Sequence, residues 1–140
     1  MKNSVIFIFI AFGAFSCFSS AEDIKLRRYM VAGERLYEQH CSNCHQLDGA
    51  GFQKLYPPID GEYLKGNLSQ VICGIKYGSS DSLTIKGVKY VLPMPDAHLT
   101  DLEVAEIVTY LSHTWADGQG IIGVNEVKEI VKECGDIGRQ

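Results

Sequence analysis

The 140-residue chain has no uninterrupted apolar run of the roughly 20 residues that a membrane-crossing helix needs. Basic clusters are also missing: 13 Lys and Arg against 17 Asp and Glu leave a formal charge of −4, a balance that argues against nucleic acid as a partner. There is no internal repeat and no low-complexity linker, so the length corresponds to one ordinary domain with a modest core. Methionine is scarce, at three residues, and histidine stands at four. A second C-x-x-C is absent, and the remaining Cys73, Cys134, His98 and His113 are not paired at the ligand spacing that a four-ligand structural zinc site normally needs. No strand pattern precedes the single C-x-x-C, as a thioredoxin-like dithiol in a βαβ unit would require.

At the N-terminus, MKNSVIFIFIAFGAFSCFSSAED has one lysine, Lys2, and then an apolar run from Val5 to Phe15. Small residues and the acidic Glu22 and Asp23 follow, which is the layout of a secretory signal peptide. Ser19 and Ala21 are small at the positions that matter for cleavage after Ala21, so residues 1–21 are expected to be a cleaved leader and 22–140 the mature domain. Two other fates are open: an uncleaved membrane anchor, or lipid on Cys17, for which the preceding Ala14-Phe15-Ser16 is a weak match. Either would bring the exported protein to a membrane; cleavage leaves it free outside the cytoplasm. Loss of Lys2 makes the mature domain one charge more acidic.

Helical spacing of Ile24, Met30, Gly33, Leu36 and Tyr37 predicts a helix from Asp23 to His40. Residues 46–61, QLDGAGFQKLYPPIDG, are loop by their Gly and Pro content. A second helix is expected from Glu62 to Lys76, and Tyr77 to Pro95 reads as irregular. Thr100 and Glu103 form a capping box that opens a helix through Val104, Ile107, Val108 and Leu111. After Gly118, Gly120 and Gly123 a short last helix is expected from Asn125 to about Glu133, within a C-terminal extension from about residue 118. The pattern is all-α, wrapped around long loops. Loops of this length in a compact domain usually cover something, here a cofactor.

Cys41, Cys44 and His45 form the C-x-x-C-H run of QHCSNCHQLDG. This spacing puts two sulfurs about one helical turn apart, with the imidazole aimed at what they hold. In a c-type haem the thiols add to the two vinyl groups and the histidine binds the iron. Zinc and dithiol chemistry lack the partners noted above, so one covalent haem c is the favoured cofactor. Cys73 and Cys134 remain: they could pair in an oxidising compartment or stay as buried free thiols, and nothing in the sequence places them side by side.

An electron-carrying haem needs a sixth ligand. Met1 and Met30 fall in the leader and the first helix, whereas Met94 sits between Pro93 and Pro95 in VLPMPDAHLTD. The prolines fix the backbone on both sides, so a thioether can be presented from a loop. Met94 is the expected axial ligand opposite His45. His98 is the rival, and His40 and His113 are more distant ones.

GERLYEQHCSNCHQLDGAG, YPPIDG, VICGIKYG and LPMPDAHLTDLEVAEIVTYL together resemble a bacterial class I c-type cytochrome, a small monohaem domain, over about Gly33 to Val131. The resemblance implies the small all-helical cytochrome c fold, in which Gly33 and Tyr37 meet the helix holding Tyr110 and Leu111. It implies that the Pro58 carbonyl accepts from the second nitrogen of His45, with Pro57 as the other candidate. Cys73 and the tail GIIGVNEVKEIVKEC depart from the simplest members, and the tail resembles those of cytochrome domains in oxidase or dehydrogenase assemblies.

The expected function is one-electron transfer by a His/Met-ligated haem in a periplasmic respiratory or dehydrogenase chain. Apolar residues such as Leu55, Ile59 and Leu92 would keep water from the iron. The protein would be a carrier or a subunit of a redox complex rather than an enzyme itself. The alternative is a ligand sensor or a peroxidase-like enzyme with an open sixth position. Redox partner proteins would dock where the loops near Ala50, Phe52 and Met94 supply an apolar centre, and the acidic balance favours a basic partner.

Overall fold

The structure, a computed structural model, describes residues 20–137. The expected leader lies outside the described residues, Cys17 and Ser19 included, except for Ser20 and Ala21, which cap and open the first helix. Among the described residues no helix is long and apolar enough to cross a membrane.

Helix α1 runs from Ala21 to His40 and starts at a capping box in which Ser20 and Asp23 satisfy each other's backbone N–H groups. A single turn, α2 (Ser42–His45), follows directly and carries the cysteine motif. The stretch expected as one helix from Glu62 is two: α3 (Gly61–Gly66) and α4 (Leu68–Tyr77). The break falls at Asn67, whose φ of −137° leaves the helical region and whose side-chain amide donates to the Tyr63 carbonyl at 2.9 Å. An Asn after a Gly competes for its own backbone in this way, and the periodic apolar pattern concealed it.

Between Tyr77 and Pro95 the structure adds an element that the sequence reading had not included. Strands β1 (Leu83–Ile85) and β2 (Val88–Tyr90) pair antiparallel, with Ile85 opposite Val88 across a Lys86-Gly87 turn. Both turn residues have positive φ, the geometry of a tight hairpin. Each strand is only three residues long, too short for alternation to be visible.

Helix α5 (Asp101–Trp115) opens at the expected Thr100–Glu103 box, and α6 (Val124–Ile137) ends the described chain. The core lies where α1 crosses α5. Tyr37 of α1 and Val104, Ile107 and Val108 of α5 are fully buried, and Tyr37, Tyr110 and Trp115 stack with ring centroids 5.4–5.8 Å apart. Gly33 makes this crossing possible. A Cβ there would run into the Glu106 carbonyl and lie 2.7 Å from the Tyr110 Cβ. A glycine in mid-helix costs about 1 kcal/mol relative to alanine, which the close approach of two backbones offsets.

The C-terminal extension is part of this core, not a loose tail. Val127 is fully buried, Thr109 exchanges hydrogen bonds with the backbone of Ile122, and α6 packs on α4 and α5. Cys73 of α4 and Cys134 of α6 form a disulfide across 61 residues, which resolves the open pairing. Closing a loop of that length removes unfolded-state entropy equivalent to about 4 kcal/mol. Cys134→Ser should therefore lower stability by about 2–4 kcal/mol in thermal or denaturant unfolding. A variant as stable as the parent would show that α6 is held by packing alone.

Candidate haem site

Position of the C-x-x-C-H run follows from the helix that precedes it. Helix α1 ends at Cys41, whose N–H still donates to the Tyr37 carbonyl, and the Cys44 and His45 N–H groups both reach back to the Cys41 carbonyl at 3.1 and 2.9 Å. The chain then reverses at Gln46, a non-glycine with φ of +64°. This places the Gln46 carbonyl 2.6 Å from the Tyr37 hydroxyl, which donates to it. Burial, aided by Cys41 and Tyr110 nearby, pushes the Tyr37 phenol up, so it remains a donor. One buried tyrosine thus joins the helix crossing to the motif.

Cys41 and Cys44 are free and half-buried. Burial first, and Cys44 second, push the Cys41 thiol up to about 11. A working dithiol needs the opposite shift, toward the thiolate, so this environment speaks against redox exchange by the pair. Among the described residues no three His, Cys, Asp or Glu side chains converge as metal ligands, and the disulfide already engages Cys73 and Cys134. The zinc alternative is left without a ligand set.

The His45 Nδ1 lies 2.9 Å from the carbonyl of Pro57. The expected acceptor was Pro58; the structure puts the preceding residue there. The loop fixes this register: Gly51 N–H donates to the His45 carbonyl at 2.9 Å, Phe52 pairs with Tyr56, and Ile59 N–H donates to the Gly49 carbonyl at 2.7 Å. Burial lowers the imidazole's pKa, with the Pro57 carbonyl opposing. A neutral ring donating from Nδ1 leaves Nε2 as the nitrogen able to bind a metal.

Met94 is half-buried against the core cluster, and its backbone exchanges two hydrogen bonds with Ser79, both 2.8 Å. The rival His98 is exposed and paired with Asp96 at 3.2 Å, while His113 contacts the Gly120 carbonyl. Of the expected water-excluding residues, Ile59 packs against the core. Leu55 and Leu92 are exposed instead, with Leu47, Phe52 and Val91. These five apolar side chains lie on the loops that carry the motif and Met94.

Two free thiols, an imidazole with one nitrogen already committed, and a thioether on a loop anchored at Ser79 are donors that fit a haem c. The cytochrome c family model matches residues 30–115. The chain belongs to the cytochrome c family. Its cofactor is accordingly covalently bound haem c, and it is an electron carrier, not an enzyme. Cytochrome c-552 of Thermus thermophilus is 29% identical over 109 residues, covering 70% of this chain and 82% of that protein. The fructose dehydrogenase cytochrome subunit of Gluconobacter japonicus is 31% identical over 106 residues, 70% of this chain but 21% of the subunit. The cytochrome c subunit of a quinone alcohol dehydrogenase from Gluconobacter oxydans is 23% identical over 103 residues and is likewise matched over 22% of its length. Helix α6 lies beyond the region that the family model matches.

The site also depends on an ion pair that sequence reading missed. Lys86, at the hairpin tip, reaches Asp60 at 2.7 Å, and the Asp60 side chain is only 8% exposed. Asp60 also caps α3 by accepting from the Tyr63 N–H at 2.8 Å. The hairpin is thereby fastened to the loop that carries Pro57. The Lys86 hydrogen bond, then the Tyr63 N–H, hold the Asp60 carboxyl below its ordinary range. A depressed folded pKa contributes stability that is present above about 3.8 and lost as pH falls through the folded value. Asn caps α3 as well as Asp does, so Asp60→Asn should cost only the pairing with the exposed Lys86, up to about 1 kcal/mol at pH 7. In paired unfolding curves the difference should shrink below pH 4; a difference independent of pH would remove the electrostatic account.

Proposed function

We propose that this cytochrome transfers single electrons through a haem attached at Cys41 and Cys44, with His45 and Met94 as its two axial ligands. When bound, haem supplies a one-electron Fe(III)/Fe(II) couple. The chain's own groups set its properties. His45 is held in one tautomer and one orientation by the Pro57 carbonyl. Met94 supplies a soft, weak donor that favours Fe(II) and raises the potential. With both ligands present in each oxidation state, little rearranges on electron transfer.

The observation that carries this reading is the Ser79–Met94 bridge. It fixes the Met94 backbone from both sides while the side chain stays half-buried. A surface methionine in a loop has no need of such an anchor, and His98, the competing donor, faces solvent beside Asp96.

The leader-like N-terminus and the disulfide both fit export, so we place the protein in the periplasm. There it serves a respiratory or dehydrogenase chain, either as a free carrier or as a subunit. The dehydrogenase subunits among its relatives support a role beside a dehydrogenase. The exposed Leu47, Phe52, Leu55, Val91 and Leu92 give the partner an apolar contact.

Met94→His should keep a low-spin haem and lower the midpoint potential by about 0.1 V or more, within the roughly 0.8 V that axial ligation commands. Potentiometry of the exported, haem-loaded protein reads this directly. An unchanged potential would assign the sixth ligand elsewhere. Ready binding of carbon monoxide by the reduced parent would move the ligand-binding alternative ahead.

A further inference from the structure

Met94 sits in a long segment between the end of α4 at Tyr77 and the start of α5 at Asp101. Apart from the small hairpin, a chain of this length has little secondary structure of its own to hold it. The hairpin buries Ile85 and Tyr90 and is tied to Asp60 by Lys86; closure at the base of the segment rests on a few polar contacts. Gly78, with φ of +75°, turns the chain directly beneath the Met94 carbonyl, 2.5 Å from where a Cβ would stand. Ser79 and Met94 exchange their backbone hydrogen bonds. The last contact is a side chain, Lys76, at the penultimate position of α4.

The Lys76 ammonium donates to the Leu99 carbonyl at 2.7 Å and pairs with Asp101 at 2.8 Å. One group thus spans from the residue before the loop to the residues after it. Both partners of the ion pair are largely shielded, with side-chain exposures of 19% and 28%. Leu99 is itself buried in the core, and Asp101 opens α5, whose first turn is already fixed by the Thr100–Glu103 box. The anchor on the far side is therefore rigid. By contrast, Lys65 pairs with Glu62 at 3.0 Å where both are exposed, the kind of pair that contributes little.

We propose that Lys76 is a positioning residue for the sixth ligand: its ammonium closes the loop that carries Met94 and so sets how firmly the thioether stays at the iron. This inference rests on the reading of Met94 as an axial ligand. A thioether is a weak donor, so its occupancy depends on the loop presenting it at high effective concentration. Opening of that loop is a local event, distinct from unfolding of the α1–α5 core. Losing a charge-assisted, partly buried contact raises the open population by about tenfold or more.

The test uses the exported, haem-loaded protein and four variants: K76M, K76R, D101N and K65M. Each is followed by the Met–iron absorption band of the oxidised form during warming, and by carbon monoxide binding to the reduced form. Expected for K76M is loss of the band at a lower temperature and an increase of about tenfold in carbon monoxide binding rate. K76R should restore both, D101N should fall between, and K65M should match the parent.

A K76M protein that keeps the band and excludes carbon monoxide while its global unfolding temperature drops would reduce Lys76 to a structural ion pair and overturn the proposal. If K76M does not fold, D101N decides: a parent-like band and parent-like carbon monoxide exclusion would overturn it. A parent without a Met–iron band removes Met94 itself, a failure of the ligand assignment that is distinguishable from a failure at Lys76.

Discussion

The contact between Gly33 and the Glu106–Tyr110 backbone of α5 governs the arrangement of the whole site. A 20-residue helix ends wherever its crossing point and its length dictate, and α1 ends at His40 with Cys41 as its cap. Because α1 and α5 touch backbone to backbone, the cysteine motif at the end of one is held at a fixed distance from the capped start of the other. Tyr37 carries this geometry one step further, with its ring in the crossing and its hydroxyl on the Gln46 carbonyl just past His45. A bulkier residue at position 33 would separate the helices and displace both halves of the site together.

Around this frame the loops next to His45 and around Met94 are held in different ways. The His45 side is laced by backbone hydrogen bonds from Gly51, Phe52 and Ile59, and by the Trp115 indole donating to the Asp48 carbonyl at 3.2 Å. The Met94 side relies on two bonds to Ser79 and on lysine contacts at its boundary and hairpin tip. The disulfide adds a covalent strut behind α4, the helix from which the Met94 loop departs.

What could be read from the sequence was what periodicity and spacing encode. The α1 and α5 helices came from apolar spacing and from a capping box whose two members are three residues apart. The motif cysteines and His45 are adjacent, and Met94 is marked by flanking prolines. What could not be read depended on contacts distant in sequence. The Pro57 rather than Pro58 carbonyl is chosen by a one-residue register that the Gly49–Ile59 hydrogen bond fixes. Asp60–Lys86 joins residues from two loops, and Cys73–Cys134 joins two helices, so neither leaves a local signature. The extension from about 118 looked like a tail because it continues past the capped helix; Val127 is fully buried, and Ile121, Ile122, Val124, Ile130 and Val131 pack against the core beside it.

A carrier of this kind meets two opposed demands. Fast transfer favours ligands that do not move between oxidation states, which requires a stiff site. Stability of the fold, however, comes chiefly from the α1–α5 core, while the Met94 loop is held by the Ser79 bonds, the lysine contacts and the burial of Ile85 and Tyr90. The opposition is resolved by separation. The His45 imidazole, with one nitrogen tied to the Pro57 carbonyl, follows directly on α1, whereas the Met94 thioether sits on a loop anchored by its backbone bonds to Ser79. Lysine contacts to Leu99 and Asp101 and to Asp60 join this loop to the start of α5 and to the loop before α3. Under the proposed ligation, a bond to the Met94 sulfur need not supply all the rigidity, because the Ser79 bonds and the Lys76 contacts hold that segment independently of it.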